Sequence, residues 1–130
     1  MDNFDELISS FDLNFFGTGS HKISFEKMVE LINEDKAYIL DVRSKEECSI
    51  LNFSFANNIP VEQVPLHINE LPKDKTIIIF CSGATRATII YTYLQAKGFK
   101  NSRILLENIG DISNHFKPGF VLKNYKSFEN

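Results

Sequence analysis

The sequence predicts an α/β domain with a mostly parallel central sheet and helices on both faces. Three observations carry this. Short β-branched runs alternate with segments of helical periodicity along the chain, the pattern of a parallel sheet built from crossovers. The run "IIIF" (77–80) is continuously apolar, as expected of a strand covered on both sides. Gly98 then stands just past a helical stretch, where a left-handed C′ residue is wanted. With 130 residues and 43% hydrophobic composition, the chain can bury one real core.

The elements follow in order. Residues 1–20 read as an N-terminal extension, with a short helix from Phe4 to Phe11 and then the break "GTGS". Ser24 is placed to cap a helix whose apolar positions Phe25, Met28, Val29 and Ile32 recur at i, i+3, i+4, i+7. "AYILDV" (37–42) is a buried strand ending in the polar cluster Asp41 to Glu47, and a short helix is predicted over 44–51. "ANNIP" (56–60) is a short strand stopped by Pro60, and "LHINELP" (66–72) one or two helical turns ended by Pro72. "KTIIIFC" (75–81) is the strongest strand. Residues 85–97 form a helix, 102–106 a strand and 109–116 a last short helix. The domain proper is set at 21–118 and a C-terminal tail at 119–130.

Composition excludes several functions. A net charge of −3 and a pI near 5.6 give no basic face for nucleic acid. No apolar run approaches the roughly 18 residues of a membrane span. The start "MDNFDELISS" is acidic where a secretory leader is basic. The two cysteines, Cys48 and Cys81, make neither a disulfide framework nor a zinc spacing, and the histidines are scattered. The expectation is a reducing, cytoplasmic compartment. No nucleotide loop of the GxxxxGK[ST] or GxGxxG form occurs, and no metal or cofactor is expected.

The chemistry concentrates in "CSGATR" (81–86). Cys81 directly follows a strand and Thr85 or Arg86 opens a helix, so the connection must turn sharply, and Gly83 is expected to permit the turn. Backbone N–H groups of such a loop form a nest for negative charge, and the helix N-terminus adds unpaired donors. A thiolate at the centre of that ring is stabilised, which makes Cys81 the candidate nucleophile. Only three arginines are present, and Arg43 and Arg86 both belong to the candidate site. A cation in the first turn opposes the helix dipole, so Arg86 implies an anion close by. Asp41 and Arg43 read as a polar hinge at a strand end, bracing the rim, with Arg43 able to pair with Glu46 or Glu47. Cys48 reads as a small residue filling a buried place. A resolving role would need its α-carbon within about 7 Å of that of Cys81.

Four stretches, "LDVRSKEE" (40–47), "NNIP" (57–60), "CSGATRA" (81–87) and "ENIGD" (107–111), resemble the single-domain rhodaneses, a sulfurtransferase family. The resemblance spans 23–118. It implies that Cys81 takes a sulfane sulfur from a donor such as thiosulfate or a persulfide and passes it to cyanide, a cellular thiol or a sulfur-accepting protein. It also implies that the backbone from Ser82 through Gly83, Ala84 and Thr85 to Arg86 cradles that sulfur, and that Asp41 and Arg43 are the family's DVR pair. The sequence departs from the pattern at Cys48, where the family has an aromatic, at "LNF" (51–53), and at Ser82, where many relatives carry a charge. Two rival readings are a non-catalytic binding module on the same fold and a cysteine phosphatase or arsenate reductase. The latter enzymes place five residues between Cys and Arg where this loop has four, and need a general acid, for which Asp111 is the sole late candidate.

Overall fold

The computed structural model describes residues 2–129. Its five strands, β1 (Lys22–Ile23), β2 (Ala37–Asp41), β3 (Asn57–Asn58), β4 (Thr76–Phe80) and β5 (Ser102–Leu105), form one parallel sheet in the order β1-β5-β4-β2-β3. Seven α-helices accompany them: α1 (Asn3–Ser9), α2 (Leu13–Thr18), α3 (Phe25–Asn33), α4 (Lys45–Ile50), α5 (Thr85–Ala96), α6 (Ile109–Asn114) and α7 (Pro118–Phe128). A 3₁₀ segment runs over Val61–Glu70. The α/β fold with a parallel sheet and two covered faces is therefore as expected.

Strand periodicity divides the core. Ile77, Ile79 and Cys81 join Leu40, Val42 and Ile104 in one cluster beneath α5, which contributes Ala87, Ile90, Tyr91 and Leu94. Ile78 and Phe80 point the other way, to a second cluster with Ile39, Leu105, Phe25 and Met28 of α3, Ile112 of α6 and Phe128 of α7. All four residues Ile77 to Phe80 are at most 1% exposed, which explains why no polar residue interrupts that strand.

Local signals set the helix starts. Ser24 accepts from the Lys27 N–H at the head of α3. Ser44 and Glu47 form a reciprocal capping box on α4. Asn108 accepts from the Asp111 N–H at α6. Gly98 ends α5 with φ +89°, in the left-handed region that favours glycine.

Two parts of the chain hold helices that the sequence pattern did not predict. Most of the segment set as a C-terminal tail is helical: α7 starts with Pro118 at its first position, where a missing N–H costs nothing. Its Phe128 is buried, and its Asn124 accepts from the Asn33 amide at 3.1 Å. The extension over residues 1–20 holds a second helix, α2, and packs on the domain through Phe11 and Phe15. No helix among the described residues is long and apolar enough to cross a membrane.

Candidate active site

The register of β2 against β4 pairs Asp41 with Phe80. Their successors, Val42 and Cys81, therefore leave the sheet side by side at its carboxyl edge, where open parallel sheets bind ligands. Val42 N–H still donates to the Phe80 carbonyl at 3.1 Å. Cys81 forms the floor of the loop and is 1% exposed, whereas Ser82, Gly83, Ala84 and Thr85 above it are exposed. The Ala87 N–H, in the first turn of α5, points at the Cys81 sulfur from 3.4 Å. Among the described residues no side chain caps α5, unlike α3, α4 and α6. Of the first-turn donors of this helix, the Ala87 N–H is directed at the Cys81 sulfur. From the far side, the Ile109 N–H ties the Ser82 carbonyl to the start of α6 at 3.2 Å.

Gly83 is not needed for a left-handed turn, since only Gly19 and Gly98 among the described glycines have positive φ. A Cβ on Gly83 would meet nothing within 4 Å. Neither its φ nor a close contact therefore requires glycine at this position.

Arg86 has found its anion within the chain. Its Nη1 donates to Glu47 Oε1 at 2.6 Å, and its Nη2 donates to Glu47 Oε2 at 3.0 Å and to Ser82 Oγ at 2.9 Å. The bidentate pairing holds the Glu47 carboxyl at about 2, with the Ser44 N–H as the next contributor, and raises the Arg86 pKa in turn. One carboxylate thus caps α4 and anchors the candidate loop. Sequence reasoning assigned Glu46 or Glu47 to Arg43. The structure corrects this: Arg43 pairs with its near neighbour Asp41. The Ser44-x-x-Glu47 capping signature was the available clue to where Glu47 would be fixed, but nothing local in sequence joins it to a residue 39 positions away.

The Asp41–Arg43 pair is buried, each side chain 1% exposed. Arg43 Nη2 donates to Asp41 Oδ2 at 2.7 Å and Nε to Oδ1 at 3.0 Å, while the Arg43 N–H donates to Oδ1 at 3.0 Å. Burial works to lower the Arg43 pKa, but the hydrogen bonds and charge of Asp41 outweigh it and raise the value. The guanidinium lies over the rings of Phe53 and Phe80 and donates to the Leu51 carbonyl at 3.0 Å. It therefore pins the divergent 51–53 segment to the sheet edge. The Asn58 amide closes the hinge by donating to the carbonyls of Asp41 and Arg43. Each guanidinium of the site is thus paired with a carboxylate.

Cys48 is half-buried, with its thiol 3.5 Å from Asp41 Oδ2. Burial first, and the Asp41 charge second, push this thiol up. A protonated Cys48 is a poor nucleophile near neutrality. We expect Cys48→Ala to leave turnover within about twofold, and iodoacetamide to modify Cys48 slowly at pH 7. Rapid alkylation, or a large loss of turnover in the variant, would assign this thiol a chemical role.

The comparisons agree with this geometry. The rhodanese-like domain family model matches residues 24–113. A tRNA uridine(34) hydroxylase of Pelagibacter ubique (strain HTCC1062) is 32% identical over 101 residues, covering 75% of this chain and 33% of that protein. Its namesake from Sodalis glossinidius (strain morsitans) is 30% identical over 87 residues, covering 62% and 25%. The chain thus spans a third or less of the length of these curated relatives. A rhodanese-like domain protein from Staphylococcus aureus superposes with a TM-score of 0.61 at 26% identity, covering 68% of this chain and 87% of that one. A human single-domain sulfurtransferase superposes with a TM-score of 0.64 at 21% identity, covering 76% and 100%. With its motifs, its parallel sheet and the match over 24–113 in accord, this chain belongs to the rhodanese-like domain family.

Proposed function

We propose that the chain is a sulfurtransferase working through a persulfide on Cys81. The observation that carries this reading is the Cys81 sulfur on the floor of an exposed loop with the uncapped N-terminus of α5 aimed at it. The thiolate attacks the sulfane sulfur of the donor. With thiosulfate, the S–S bond breaks and sulfite leaves with the electron pair. The outer sulfur of the persulfide carries negative charge, and the loop amides from Ser82 to Arg86 are the donors available to it. A thiophilic acceptor, cyanide or a thiolate, attacks that outer sulfur, and the Cys81 thiolate is released. A thiol on a partner protein would serve as acceptor in the same way.

The test is intact-protein mass spectrometry after thiosulfate and then cyanide. The expected result is one added sulfur atom per chain, removed by cyanide with release of thiocyanate. Absence of the adduct with both thiosulfate and a small alkyl persulfide would overturn the reading. The likeness to tRNA uridine(34) hydroxylases favours a second reading, in which the domain serves a reaction on a tRNA base. The acidic balance of the chain opposes RNA binding by this domain alone.

Glu47 offers a finer test. It neutralises Arg86, so Glu47→Gln should release positive charge to the loop and lower KM for the thiosulfate dianion several-fold. A raised KM would instead make the ion pair a structural prerequisite of binding. The pH dependence has a fixed sign. A carboxyl lowered from 4.5 to about 2 in the fold contributes stability that is fully present above 4.5. That contribution is lost as pH falls through the window toward about 2. Melting temperatures of wild type and Glu47→Gln measured from pH 7 to pH 2 should therefore converge only at the acid end.

A further inference from the structure

The ionised groups at the candidate loop do not sum to a positive charge. Arg86 is bidentate to Glu47 at 2.6 and 3.0 Å, and Arg43 is buried against Asp41 at 2.7 Å. Ser82, Gly83, Ala84 and Thr85, the exposed rim of the loop, carry no charge. The charges that act on Arg86 are those of Glu47, Cys81 and Asp41, with no lysine among them. Lys45, at the start of α4, donates to the Asn58 carbonyl at 3.3 Å, and Glu46 beside it has the opposite charge. On the other flank, α6 is tied to Ser82 through the Ile109 N–H and brings an exposed Asp111 in its first turn. Once Cys81 is a thiolate, Cys81, Asp41 and Glu47 set three negative charges against the two positive ones of Arg43 and Arg86. The N-terminus of α5 offsets about half of the remainder. An anionic donor therefore approaches a site with no spare cation.

Resting on the Cys81 persulfide reading above, we propose that this site selects sulfur donors with an uncharged end, alkyl hydropersulfides R–S–SH, over anionic donors such as thiosulfate, and that Glu47 sets the preference. The Cys81 thiolate bonds to the terminal sulfur of R–S–SH. The donor's S–S bond breaks, and R–S⁻ leaves with the electron pair and takes a proton from water. The transferred sulfur keeps its own proton until the new persulfide ionises. The encounter then contains one mobile negative charge, that of the nucleophile, which the loop amides can hold throughout. Thiosulfate brings two more negative charges up to that thiolate. Both Nη atoms of Arg86 are engaged by Glu47, so the guanidinium is not open to bidentate pairing with an incoming oxyanion. The Glu47 carboxyl, held at about 2, stays ionised through the neutral range, and the neutralisation of Arg86 is permanent there.

The experiment measures kcat/KM for 2-hydroxyethyl and 2-sulfoethyl hydropersulfide on the full chain, its Glu47→Gln and its Ser82→Lys variants, with the Cys81 adduct followed by mass spectrometry. The two donors present the same sulfane sulfur and differ by one fixed negative charge, which separates charge from intrinsic reactivity. Wild type is expected to favour the hydroxyethyl donor by about fivefold, the scale of one charge–charge contact in water. Its kcat/KM for the sulfoethyl donor should not fall as sodium chloride is raised, because there is no attraction to screen. Glu47→Gln uncovers Arg86, and Ser82→Lys adds a cation at the exposed rim. Each should cut the preference to about twofold or reverse it, and make the sulfoethyl rate fall with salt. If Glu47→Gln loosens α4, whose cap it shares, Ser82→Lys still decides. Equal rates for the two donors in wild type, a steep loss with salt in wild type, or an unchanged preference in Ser82→Lys or in folded Glu47→Gln would overturn the proposal and leave sulfur transfer standing. Absence of a Cys81 adduct with either donor would overturn sulfur transfer itself, and the donor preference with it.

Discussion

Cys81→Ser is expected to lose the sulfur adduct and all detectable thiocyanate formation while keeping the wild-type melting temperature to within a few degrees. The physical basis is the size of the change against the size of the role. The side chain packs in the cluster beneath α5, and a hydroxyl there can still accept from the Ala87 N–H, which now reaches the sulfur at 3.4 Å. An alcohol, however, is a far weaker nucleophile than a thiol at neutral pH and cannot carry a sulfane sulfur through a persulfide. Mass spectrometry and a thiocyanate assay on the folded variant check this. Residual turnover near the wild-type rate would place the nucleophile elsewhere, and Cys48 would then be the next thiol to remove.

The same residue shows how much was legible. Cys81 at a strand end, followed by a helix with a first-turn arginine, was sufficient to locate the loop and the sheet edge. The apolar run before it could be only a doubly covered strand, and Ile77 to Phe80 are buried as that demands. The loop's electrostatics were legible only in part. A first-turn arginine implies an anion, but the sequence does not say whether that anion is a substrate or a side chain. It is Glu47, contributed by α4 from 39 positions away, and long-range pairs of this kind leave no periodic trace. Gly83 was over-read for a related reason. Glycine can mark a strained φ or a close approach, and at Gly83 the structure shows neither.

The missed elements were short or disguised. β1 is two residues long and sits at an edge, where strand periodicity has no length over which to appear. α7 begins with Pro118-Gly119, a pair that reads as a turn, although proline at a first helical position is favourable. Phe120, Asn124 and Phe128 recur every four residues and carry the helical signal beyond that pair. Asn124 masked it by standing, polar and buried, in the middle of the apolar stripe.

Asp41→Ala is expected to be the most destabilising single change in the site, by about 3–5 kcal/mol, because it strands a buried guanidinium without its carboxylate. Arg43 would keep only the Leu51 carbonyl at 3.0 Å and the faces of Phe53 and Phe80. Neither replaces a full negative charge at 2.7 Å. Against a typical stability of about 5–15 kcal/mol, that is enough to leave the variant partly unfolded near body temperature. Urea titration of wild type and variant measures it. The double variant Asp41→Leu/Arg43→Met separates the charge from the space it occupies. Replacing a buried ion pair by apolar residues of similar volume is often neutral or better, so the double variant should recover most of the loss. It should not recover full activity, because the 51–53 segment would lose its tether at the Leu51 carbonyl and the rim its fixed shape. A single variant within about 1 kcal/mol of wild type, or a double variant as unstable as the single, would show that the pair does not brace the site in this way.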